Sequence, residues 1–215
     1  DLSISIQRRI REQAITAYVI RTGTPEEVRT SIFERINTGG LTLTRAEIRN
    51  SVYRGQAAKL LRELAHSQEF IEATRGKVES LRMSDCELVN RSLAFYLLGM
   101  DSYEEDYDRF LDRAMAKLQG FANAEIQRVA EDFLRAMRYS YEIFGKTAFR
   151  KITKNGTYGK MNKPLYECVS VQLALLGEAE CELLLMNKDI FTINIFNKSI
   201  SFVIVEQIGR ASCRE

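Results

Sequence analysis

Between Phe33 and Asn50 the chain reads FERINTGGLTLTRAEIRN, and within it Arg35, Asn37, Thr38, Gly39 and Gly40 set a guanidinium, an amide and a hydroxyl beside two glycines. An amide followed by a glycine turn at the end of a helix offers free backbone N–H groups and close approach, which suits contact with a phosphate or a base. The same succession, a helix stopped by Gly-Gly and followed by a capped helix, also serves any tight helix-to-helix corner. Both readings are open at this level. Arg35 has the plainer explanation that a cation near a helix end complements the macrodipole. Glu47 reads as a capping carboxylate, and Arg49 as a solvated face or a ligand equally.

A second group with chemistry in it lies further on. Lys146, Arg150, Lys151, Lys154, Lys160 and Lys163 follow one another without an acidic residue in 146–163, among Phe144, Phe149, Tyr158 and Tyr166. A basic loop with interleaved rings can hold a nucleic-acid backbone while stacking on exposed bases. The alternative is a solvated loop whose aromatics plug into a helical core. The opposite charge gathers in DSYEEDYDRFLD, Asp101 to Asp112, where the dipole of a helix start explains most of the acids. Its spacing does not match a calcium loop. His66, the single histidine, has no acidic or cysteine neighbour and reads as the polar end of an exposed helix.

Composition narrows the classes. The chain has 215 residues, 45% hydrophobic and 28% charged, enough for one globular domain or slightly more. Its 31 basic and 29 acidic side chains leave a net charge of +2, so a polyanion partner needs a local patch rather than a global field. Apolar runs such as Phe202 to Val205 fall far short of the roughly 20 residues that cross a bilayer. Cys86, Cys168, Cys181 and Cys213 have no CxxC spacing, which points to neither zinc nor a disulfide framework, and a reducing cytoplasm is the default. The last stretch, IGRASCRE from Ile208 to Glu215, back-translates codon by codon into a widely used sequencing adaptor, so 208–215 is expected to be read-through beyond a genuine end near Gln207.

The elements that must position these residues are mostly helices. Ile15 to Arg21 (ITAYVIR) reads as a short strand leading into a helix opened by the capping box Thr24-Pro25-Glu26-Glu27, with Val28, Ile32, Phe33 and Ile36 on one face. A second capping box, Thr44 to Glu47, starts a helix through about Tyr53; Gly55 breaks it from another running to about His66. A third box, Ser84 to Glu87, opens the apolar helix LVNRSLAFYLL. Amphipathic helices follow over Tyr103 to Leu118 and Glu125 to Phe144, the latter through Ile126, Val129, Phe133 and Met137, and Gly145 stops it. After a loop containing Asn155-Gly156, Pro164 sits in the first turn of a buried helix to about Leu176. Asp189 to Val205 fits helix or strand. The expected fold class is mainly α, a helical domain preceded by a partial α/β strand-helix unit, divided near Gly55.

The stretch FERINTGGLTLTRAEIRN resembles the second motif of the GmrSD-type restriction endonuclease N-terminal family, through Phe33, Asn37, Gly39, Gly40 and Leu43. The likeness continues in RMSDCELVNRSLAFY (Arg82 to Tyr96), FGKTAFRK (Phe144 to Lys151) and NKPLYE (Asn162 to Glu167). It implies that 1–55 is the C-terminal remnant of a ParB/sulfiredoxin-like domain and 56–207 a helical domain. The resemblance also implies nucleotide-dependent restriction of modified foreign DNA by the intact protein, with a nucleoside triphosphate, a divalent metal, DNA, and an HNH-type nuclease domain or subunit as its partners. The family's other signature, Asp-Gly-Gln-Gln-Arg, does not occur in these residues and is expected upstream of Asp1. On this reading the chain carries no cofactor or metal of its own and is inactive alone; a non-catalytic helical module that binds DNA or a partner is the alternative.

Overall fold

The computed structural model describes residues 3–14, 19–25, 28, 29, 31, 32, 35, 42–152, 157–190 and 192. Its helices are α1 (Ile4–Arg11), α2 (Arg45–Val52), α3 (Gln56–Ala65), α4 (Gln68–Thr74), α5 (Ser84–Leu98), α6 (Tyr107–Gln119), α7 (Asn123–Phe144), α8 (Lys163–Leu175) and α9 (Glu178–Met186), with a hairpin of β1 (Arg150–Ile152) and β2 (Tyr158–Met161). The fold is mainly α, as the patterning predicts.

Two helices that are apolar nearly all round form the centre. From Asp85 to Phe95 only Glu87 escapes full burial on α5, and α8 buries Leu165, Tyr166, Glu167, Val169, Ser170, Val171, Leu173 and Ala174. A helix without a polar face must be surrounded. The amphipathic helices supply the surround: α3 and α6 pack on α5, α7 packs on α8 and α4, and α9 packs on α7. On α7, Val129, Phe133, Ala136, Met137 and Ser140 recur at helical spacing on the buried side. Phe133 stacks against Phe70 of α4 at 6.2 Å between centroids. A smaller cluster of Phe95, Tyr107, Phe110, Leu111, Ala114 and Val171 joins α5, α6 and α8, with the Phe95 and Phe110 rings 4.8 Å apart.

Several expected boundaries hold. The Thr44 capping box is complete, with Glu47 N donating to Thr44 Oγ1 (3.2 Å) and Thr44 N to Glu47 Oε2 (2.7 Å). Gly55 separates α2 from α3 at φ +122°, where a Cβ would also meet the Gln119 side chain at 2.7 Å. Pro164 lies in the first turn of α8, capped by Asn162, whose Oδ1 accepts from Leu165 N.

Other expectations fail or lie elsewhere. The Ser84 to Glu87 box does not form: α5 begins at Ser84 itself, Ser84 Oγ donates to Leu81 O, and Glu87 is drawn into a tertiary ion pair. The segment from Lys146 to Lys163, read as a loop, contains the antiparallel β1–β2 ladder. Of the strand read at Ile15 to Arg21, Ile15 to Tyr18 lie outside the described residues and Val19 to Arg21 have irregular backbone. The Glu26 and Glu27 of the first capping box and the tail 193–215 also lie outside them, while Lys188 to Ile190 are helical. Among the described residues no helix is long and apolar enough to cross a membrane.

Candidate functional site

The continuous described part of the FERINTGGLTLTRAEIRN stretch, Thr42 to Asn50, is tied to the helical body through two arginines. Arg82 donates from Nη2 to Thr42 O and to Glu47 Oε2 (3.0 Å). Its hydrogen bond, with that from Thr44 N, holds the Glu47 carboxyl below the usual carboxylate range. Arg49, 4% exposed, is gripped by three carboxylates: Nη1 to Glu87 Oε2, Nη2 to Asp108 Oδ1 and Nε to Asp112 Oδ1, each 2.7 Å. Burial acts to lower the Arg49 pKa, but Glu87, Asp112 and Asp108 outweigh it and raise it. Burial raises the Glu87 carboxyl despite Arg49. Arg49 is therefore a buried structural cation rather than a solvated face, and two of the six acids of the Asp101 to Asp112 stretch, Asp108 and Asp112, bind it.

Beside this corner opens a cleft of about 830 Å³, walled by α2, the 77–84 connection, α5, Asp108 and the junction of β2 with α8. Arg45, Lys77, Arg82, Arg91 and Lys163 line it, with Glu79, Glu87 and Asp108 as the acids and Val78, Leu88 and Met161 as an apolar wall. The arginines are held from behind. Arg45 lies 3.5 Å from Asp108, and Arg91 pairs with the buried Glu167 and stacks over the Tyr107 ring at 4.2 Å from its centroid. Glu167 Oε1 also accepts from Tyr107 Oη at 2.9 Å. Burial raises the Glu167 carboxyl even with Arg91 and Tyr107 against it. No salt bridge within the described residues ties down Lys77 or Lys163, both exposed. Arg82 and Met83, at the cleft edge, hold successive left-handed conformations at φ +58° and +61°. Such backbone costs on the order of 1–3 kcal/mol per residue and persists where surrounding contacts over-determine it.

The expected site residues separate as follows. Asn37, Thr38, Gly39 and Gly40 lie outside the described residues, and Arg35 is an exposed helical residue. Among the basic residues, Lys154 lies outside; Lys146, Lys151, Lys160 and Lys163 are exposed. Arg150 is 7% exposed and donates from Nη1 to Gly159 O (3.0 Å) across the hairpin, so it does not belong to the outer basic face. Three of the four rings are in the core: Phe144, Phe149 and Tyr166, the last two edge-to-face at 4.9 Å. Tyr158 alone of the four is exposed, at 47%. His66 is exposed with Nδ1 2.7 Å from Arg62 O, a helix-end contact. Lys77 and Arg91 carry no clear signal in the sequence: a lysine in a short loop gives no periodicity, and the buried partner of Arg91, Glu167, lies 76 positions away.

Among the described residues no group of three or more His, Cys, Asp and Glu could hold a metal ion. No protein-family model, curated protein or solved structure matches the chain.

Proposed function

We propose that the chain is part of a cytoplasmic, nucleotide-dependent DNA restriction or anti-phage protein of the GmrSD N-terminal type, and that the cleft beside Thr44 receives the nucleotide. One observation carries this reading: the segment from Thr42 to Arg49 is pinned by ion pairs of Glu47 and Arg49, and its Thr44, Arg45 and Ala46 form one wall of a cleft whose other walls bring in Lys77, Arg91 and Lys163. Its volume suits a small phosphorylated ligand, with Val78, Leu88 and Met161 offering an apolar face to a base and the two lysines meeting the phosphates. A divalent metal would arrive with the triphosphate rather than on a protein-built site. In the intact protein DNA and an HNH-type nuclease are the partners of this reading, and the hydrolytic step belongs to that assembly.

A fluorescent nucleoside triphosphate titrated into the chain, with and without Mg²⁺, tests the reading. Binding that weakens about tenfold in each of Lys77→Gln and Lys163→Gln, the loss of one charge-assisted contact, supports it. Absence of saturable binding contradicts it. The exposed lysines of the hairpin favour a second reading, a non-catalytic helical module that binds DNA; a chain that binds DNA and ignores nucleotides would decide for it.

A further inference from the structure

We infer that the outer face of the β1–β2 hairpin is a platform for single-stranded nucleic acid, on which a base stacks over Tyr158 while Lys151 and Lys160, side by side next to the ring, hold the adjoining backbone phosphates. The inference rests on the DNA-binding part of the proposed function and names the form of nucleic acid and the residues. Three features of the hairpin carry it.

The inner face is fully committed. Arg150 pairs with Met161 in the ladder; Arg150 is buried and Met161 lines the cleft. Phe149 takes a left-handed φ of +59°, which a bulky residue rarely adopts, and its ring is anchored against Tyr166 while Asn162 N donates to its carbonyl at 2.8 Å. The anchor fixes which way the hairpin faces.

Alternation then turns Tyr158 and Lys160 outward, and β2 shows that pattern of exposure in full, exposed at Tyr158 and Lys160 and half-buried at Gly159 and Met161. The register shifts between Arg150 and Ile152, so Lys151 sits at an irregularity of the kind that re-aims a side chain. Lys151 is exposed beside them.

The charge is one-sided. No acidic residue occurs in 145–166, and the next one, Glu167, is fully buried and bound to Arg91. An exposed ring with two cations next to it on the Arg150/Met161 side is what an unpaired base needs: the ring supplies the sequence-tolerant stacking and the lysines the backbone attraction. In a duplex the base faces are already stacked on one another, so the ring would have nothing to stack on.

The test uses the whole chain and a thymidine oligomer of about 12 nucleotides carrying 2-aminopurine, against a duplex of the same length. The expected result is tighter binding of the single strand, quenching of 2-aminopurine on binding, and about a tenfold weaker affinity with less quenching in Tyr158→Ala, restored in Tyr158→Phe. Lys151→Gln and Lys160→Gln should each reduce the slope of log affinity against log salt by about 0.7. Equal binding of both forms with Tyr158→Ala unaffected overturns the platform and leaves DNA binding standing; no binding of either form overturns both. Thermal melts of the exposed-site variants, expected to match the parent chain, separate a lost contact from a lost fold.

Discussion

Replacing Arg49 by Met should be among the most damaging single changes outside the apolar core. The side chain is 4% exposed and satisfies Glu87, Asp108 and Asp112, whose side chains are 21%, 33% and 45% exposed. Methionine fills much of the same space, so the lost packing is small and the loss is electrostatic. Breaking a buried ion pair by deleting one partner costs about 3–5 kcal/mol, because the remaining charge is stranded. Here two of the three carboxylates can rehydrate, so the lower end, about 3 kcal/mol, is the expected figure. Against a total stability of about 5–15 kcal/mol that is a large fraction. In a thermal scan it corresponds to a fall of about 6–12 °C, and in urea to a midpoint lower by about 1 M with an unchanged slope. Adding Asp108→Asn and Asp112→Asn to Arg49→Met should recover part of the loss by removing the mutual repulsion of the carboxylates. A loss below about 1 kcal/mol, or no recovery in the triple variant, would refute the claim that Arg49 clamps α2 to α5 and α6.

Further expectations concern local chemistry. Because the Glu47 pKa is depressed in the fold below its ordinary 4.5, its contribution is present above that value and is lost as the pH falls through the folded pKa. Glu47→Gln should therefore narrow the stability difference between pH 6 and pH 3, checked by urea melts at both. Burial pushes the Cys86 thiol up to about 12 and the Cys168 thiol up to about 11, so both should resist a thiol reagent at about pH 8 until the chain is unfolded. Ala122 occupies the N-cap of α7 with extended backbone, and Glu125 Oε2 accepts from its N–H at 2.8 Å, but alanine returns no side-chain oxygen. Ala122→Asp should stabilise by about 1 kcal/mol in the same melts.

The helices were legible where their information is local. Capping at Thr44, the glycine break at Gly55, the proline at the head of α8 and the apolar spacing along α7 are all written within one or two turns of chain. What was hidden depends on residues far apart. Arg49 meets Glu87, Asp108 and Asp112 across separations of 38, 59 and 63 positions, and nothing beside Arg49 in sequence marks it as buried. The same tertiary demand took Glu87 away from Ser84, so a good capping pattern yielded no cap. The hairpin was hidden because strands of three and four residues are too short for a clear alternation, and Asn155-Gly156, read as part of a loop, lies outside the described residues. Sequence could not sort the members of the basic run: Arg150 and three rings turn inward, while Tyr158, Lys146, Lys151, Lys160 and Lys163 are exposed.

Whether the cleft beside Thr44 receives a nucleotide, as proposed, is tested most directly by chemical-shift mapping of the chain, with backbone amides and the Leu88 and Met161 methyl groups labelled, during titration with a nucleoside triphosphate and Mg²⁺. Saturating shifts are expected at Thr44, Lys77, Val78, Leu88, Met161 and Lys163, with the α4 and α7 exteriors unmoved. Shifts confined to other surfaces, or none at millimolar ligand, would contradict it.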